Sequence, residues 1–87
     1  MDRLEVYKRI DEERQYQELR NQALGWNQKT SVGDYIVLIG QYLEQSWTRF
    51  AKESGDAGAL DELRKVTALA IACFEKHGVP ERKIKEP

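Results

Sequence analysis

The segment Leu60–Pro80, LDELRKVTALAIACFEKHGVP, limits what this chain can fold into more than any other stretch. Leu60, Leu63, Val66, Thr67, Ala70, Cys73, Phe74 and His77 recur at helical spacing and so share one broad side of an α-helix. The run closes with Lys76 and His77, then Gly78, then Pro80. Basic side chains suit the negative end of the helix dipole, glycine supplies the left-handed position after the last turn, and proline cannot prolong the helix. Ala68, Ala70 and Ala72 leave room for a second helix to approach closely.

Two further helices precede it. From about residue 3 to 24, Glu, Lys, Arg and Gln dominate with no Pro or Gly, a composition that favours helix. Its face through Arg3, Tyr7, Ile10, Arg14, Gln17 and Asn21 begins apolar and turns polar. Such a helix either leaves the core at Arg14 or lines a polar cavity there. Residues 21–30, NQALGWNQKT, read as a loop anchored by the Trp26 indole, which is costly to leave in water. Ser31-Val32-Gly33-Asp34 has the form of a capping box, with Ser31 as N-cap of a helix over about 32–53. Val32, Ile36, Ile39, Leu43, Trp47 and Phe50 follow the helical period, and Tyr35, Leu38 and Tyr42 widen the stripe enough for cover on two sides. Ser54 to Gly58 forms the second joint, with Asp56 as N-cap of a third helix over about 58–77. The expected fold is all-α: a small bundle of three helices in one domain, residues 1–82, with a charged, mobile tail at 83–87. These apolar faces exceed what one small core uses, so completion by homo-oligomerisation is expected.

Fourteen basic residues against fifteen acidic ones give no general attraction to nucleic acid or an anionic membrane. The stretch MDRLEVYKRIDEE lacks the apolar run of a signal peptide, and the longest apolar stretch, Tyr35–Ile39, is too short to cross a bilayer. A soluble cytoplasmic protein is expected. Cys73 is the only cysteine, which rules out an internal disulfide and suggests a buried thiol packed as a small apolar group.

The candidate chemistry is sparse. All-α nucleotide pyrophosphohydrolases of the MazG and dUTPase type hold Mg²⁺ with carboxylates three residues apart on adjoining helices. Here Glu12 is followed at that spacing by Gln15, Glu13 by Tyr16 and Asp61 by Arg64, so these carboxylates read as a solvated face. His77 stands alone, without the second histidine or cysteine a zinc site needs. The cations are more suggestive. Arg14, Lys65, His77 and Arg82, with Gln17 beside them, are placed to converge on a phosphate if the first helix crosses the third. Trp26 or Tyr35, with Tyr42, would supply a stacking wall for a base.

The segments Glu13-Arg14-Gln15-Tyr16-Gln17, Ser31 to Tyr35, Leu63 to Val66 through Ala68-Leu69-Ala70, and Glu75 to Arg82 resemble a group of short helical phage and prophage proteins without an assigned activity. More distantly, the ERQ segment and the alanine-rich last helix are similar to the N-terminal part of phage dATP/dGTP diphosphohydrolase-like proteins. The resemblance implies a phage accessory protein that counters a host defence by binding. Two modes of binding are open: capture of a small anionic, nucleotide-like ligand, or a helical face laid on a host defence protein. A Mg²⁺-dependent pyrophosphohydrolase is the third reading. No cofactor is implied by the leading one.

Overall fold

The computed structural model describes residues 1–23 and 30–83 and contains three helices: α1 (Arg3–Ala23), α2 (Val32–Lys52) and α3 (Ala57–His77). The bounds match the sequence reading to within a residue, because caps and joints are local signals. Ser31 Oγ accepts from the Asp34 N–H at 3.0 Å while Asp34 Oδ2 accepts from the Ser31 N–H at 3.0 Å, completing the capping box. The hydrogen bonds that Asp34 receives from Ser31 also hold its carboxyl below the usual carboxylate value. Asp56 occupies the N-cap of α3 but makes no side-chain cap bond; its backbone is helical (φ −102°, ψ −7°) instead of extended, which takes its carboxylate off the first turn. Gly78 ends α3 with φ +89° and ψ 166°. The sign of φ is the expected one, but the chain leaves extended and not in the left-handed helical basin, a combination open essentially to glycine.

α2 and α3 form an antiparallel hairpin. Arg49, near the end of α2, reaches the start of α3 with Nη1 3.0 Å from both Asp61 Oδ2 and Glu62 Oε1, and its Nε donates to Glu53 at 2.8 Å. Gly58 is buried beneath this group; a Cβ there would meet Glu53 Oε1 and Arg49 Nε at under 3 Å. At the opposite end His77 Nε2 lies 2.8 Å from the Thr30 carbonyl, just before α2.

α1 packs only on α3. Among the described residues, the Cα traces of α1 and α2 nowhere come within 8 Å of each other. The neighbours Glu13 and Arg14 reach α3 residues far apart, Arg64 at 2.9 Å and Glu75 at 2.6 Å. Eleven residues of helix is about 16 Å, so α1 crosses α3 steeply. Ala68 lies between those two ion pairs and has 0% exposure. The alanines thus do what their size allows, letting α1 come close.

Among the described residues the apolar core is small: Tyr35, Ala68 and Ala72 are its buried members. The α2 stripe through Val32, Ile36, Leu43, Trp47 and Phe50, which the sequence pattern assigns to packing, is exposed in the single chain. Cys73 is half-buried, not fully buried as expected. No helix is long and apolar enough to cross a membrane among the described residues. Trp26 and, apart from Lys83, the tail at 83–87 lie outside the described residues.

Candidate ligand-binding crevice

Because the backbones of α1 and α2 stand apart on α3, a crevice opens between them. It holds two recesses of about 250 and 210 Å³, both lined by Gln17, Asn21, Thr30, Tyr35 and Leu69. One adds Arg14, Glu18, Ala72, Glu75 and Lys76; the other adds Glu13, Tyr16, Arg20, Leu38, Tyr42 and Lys65. The polar half of the α1 face therefore lines a cavity, the second of the two outcomes its pattern allowed.

Each polar group has a definite partner or a definite lack of one. Gln17 Nε2 donates to the Lys65 carbonyl at 3.2 Å and to Glu13 Oε2 at 3.5 Å, which fixes the amide's orientation. Its Oε1 is shut off from solvent and has no hydrogen-bond partner among the described residues, and the same holds for Glu62 Oε2. An unpaired buried acceptor costs about 1–3 kcal/mol. Arg14 Nε donates to Glu75 Oε2; the arginine is largely covered, while Glu75 is more than half exposed and free to swing away. Lys65 Nζ pairs with Glu62 Oε1 at 3.2 Å and Asp61 Oδ2 at 3.6 Å, and stands 5.8 Å from the centre of the Tyr42 ring. Lys76 Nζ stands 5.7 Å from the centre of the Tyr35 ring. Neither Lys76 nor Arg20 has a carboxylate partner among the described residues.

Of the residues singled out from sequence, Arg14, Gln17, Tyr35 and Lys65 line this one crevice. His77 does not line it. Its ring meets Tyr35 edge-on at 6.2 Å, and since a carbonyl can only accept, Nε2 carries the hydrogen given to Thr30. It braces Tyr35 from behind and joins the two ends of the hairpin. Arg82 lies in the exposed segment after α3. Lys76, Arg20 and Thr30 belong to the crevice without having been singled out. Arg20 was within reach of sequence reasoning, standing three residues after Gln17 on the same face; Lys76 was not, because a lysine in a last turn has an ordinary dipole role.

Beside the crevice runs an ion network. Arg64 Nε donates to Glu13 Oε1 at 2.9 Å and its Nη2 to Asp61 Oδ1 at 2.6 Å, linking α1 to the hairpin. The bond to Glu13 raises the Arg64 pKa, the bonds Arg49 donates to Glu53, Asp61 and Glu62 raise its own, and the Arg49 bond holds Asp61 below its ordinary value. Glu13 is thus paired, not part of a solvated face. Among the described residues no group of three or more His, Cys, Asp or Glu stands close enough to hold a metal ion.

No protein-family model, curated protein or solved structure matches the chain.

Proposed function

We propose that the protein is a non-catalytic binding protein whose α1–α2 crevice captures a small anionic, nucleotide-like ligand. The observation that carries this reading is the composition of the crevice: Tyr35 on one wall, with Arg14, Arg20 and Lys76 around it, two of the three without a carboxylate partner among the described residues. A phosphate would take Arg14 from Glu75, whose exposed side chain can leave at little cost. A base would lie against Tyr35, and Asn21 would supply its hydrogen bonds, the Gln17 amide being held by Lys65 and Glu13. Lys65, twice paired, contributes field more than contact, and His77 and Arg82 are not part of the contact set. In the phage setting that the sequence resemblance implies, the role is that of a sponge that removes a nucleotide-like defence signal.

The test is native mass spectrometry and calorimetry of the full chain with a panel of nucleoside mono-, di- and triphosphates and cyclic nucleotides. Binding at fixed stoichiometry is expected, lost in Arg14→Ala with thermal stability within about 1 kcal/mol of wild type. Glu75→Gln should tighten binding, because it removes the carboxylate that competes for Arg14. Failure of every phosphate-bearing probe at millimolar concentration, or binding that Arg14→Ala leaves unchanged, overturns the reading.

The second reading is a protein–protein inhibitor acting on a host factor. What favours it is the exposed apolar stripe on α2 and α3.

A further inference from the structure

That stripe has features of its own. On α3, Leu60, Leu63, Thr67, Ala70 and Phe74 follow at spacings of three, four, three and four, the heptad pattern of a coiled-coil seam. On α2, Ile36, Leu43 and Phe50 stand seven apart, with Val32 and Trp47 filling the same side. The two seams run side by side because the hairpin is antiparallel. At one end Val32, Phe74 and Val79 bound a common recess, and at the other Arg49 ties α2 to the first turns of α3. No charged residue interrupts either seam.

Both seams are open to solvent. Trp47 is 70% exposed, Ile36 64%, Leu60 61% and Phe50 56%. Together with Val32, Leu43, Leu63 and Phe74 they leave roughly 800 Å² of side-chain surface uncovered, the per-partner area of a standard stable interface. Monomeric proteins seldom expose more than about 600 Å² in one apolar patch. The single chain is also expanded: its radius of gyration is 15.0 Å, against about 12 Å for a closed domain of this length. Among the described residues the buried apolar members are one tyrosine and two alanines, a small core for three helices.

We propose that a second copy of the chain covers this face, packing the two α2–α3 hairpins into a four-helix bundle with α1 on the outside. A two-fold interface brings a surface against itself, and this one suits that use: it is uncharged along its length, so like charges do not oppose, and its heptad spacing is that of helices made to interlock. The proposal is independent of the crevice, which lies on the other flank of α2.

The test uses the full chain carrying Trp26→Phe, which leaves Trp47 as the only tryptophan. Sedimentation and native mass spectrometry are expected to give twice the chain mass, with a melting temperature that rises with protein concentration. Trp47 emission should be blue-shifted and protected from acrylamide. Leu43→Glu and Leu63→Glu, which place a charge in the seam, should weaken association by at least about 30-fold and expose Trp47. If those variants do not fold, the wild-type concentration dependence and Trp47 quenching still decide. A concentration-independent monomer at about 100 μM, a dimer whose Trp47 stays fully quenchable, or a monomer that pairs only with a host protein would each overturn the proposal.

Discussion

Ala68→Leu tests how the three helices are held together. Ala68 has no exposed surface and lies at the crossing of α1 over α3, between the Arg64–Glu13 and Glu75–Arg14 ion pairs. A leucine there adds three carbons where the backbones approach most closely, and overpacking of that kind costs about 1–3 kcal/mol. For a domain of this size each kilocalorie lowers the melting temperature by roughly 4–8 °C, so a fall of about 5–20 °C is expected at fixed protein concentration. Ala51→Leu, on the exposed side of α2, should change stability by no more than about 0.5 kcal/mol. The loss at Ala68 should also be local. α1 touches only α3, so hydrogen exchange should quicken across residues 3–23 while the α2–α3 hairpin keeps its protection. A variant that melts within about 2 °C of wild type, or one that loses protection evenly in all three helices, would refute the reasoning; the size range it contradicts is that of a tightly packed site.

Three predictions concern the ion network. Glu62, with its side chain 5% exposed, gives one oxygen to Arg49 and Lys65 while the other stays unpaired. Glu62→Met should therefore change stability by less than about 1 kcal/mol in denaturant melts, since losing the ion pairs is offset by removing a buried orphan oxygen. Arg49→Met should be the more damaging change, because it takes a cation from three carboxylates at once, leaving Asp61 and Glu62 to Arg64 and Lys65 and removing the partner of Glu53. Acid should weaken the fold through Asp61. Its folded pKa is depressed by Arg49, so its contribution is complete above the unfolded value near 3.8 and is lost as pH falls through the lower folded value. Denaturant midpoints between about pH 5 and pH 2 should fall more gently in Asp61→Asn than in wild type.

The helices were legible in the sequence because their signals are local: a serine and an aspartate three apart, a run without glycine or proline, a glycine before a proline. The occupant of each face was not. The α2 pattern marks Val32, Ile36, Leu43, Trp47 and Phe50 as apolar, but period alone cannot say whether α3, α1 or another molecule lies against them. Glu62 reads as an ordinary surface residue; its burial follows from the antiparallel register that carries Arg49 over the first turns of α3, a pairing across thirteen residues. In the crevice, Arg14 and Gln17 were visible because an apolar face turned polar at those positions. His77 was visible as a residue but not in its role, since the Thr30 carbonyl is forty-seven residues away in the chain.

The same non-local facts connect the crevice to the motion of α1. No residue of α1 is buried, and it is fastened by the crossing at Ala68, the Gln17 bond to the Lys65 carbonyl, and ion pairs with partly exposed members. Such pairs contribute about 0–1 kcal/mol each, which puts α1 at the low end of the molecule's local stability. A ligand held between α1 and Tyr35 would supply the contact that α1 and α2 lack, and it would act first on the weakest element. At one hundred times its dissociation constant a ligand stabilises the bound form by about 2.7 kcal/mol, roughly a hundredfold slowing of exchange for amides that open by release of α1. Slowing of that size is expected in residues 3–23, with smaller change in α3. A nucleotide that raises the melting temperature yet leaves α1 exchange untouched would place its site away from the crevice, whatever its affinity.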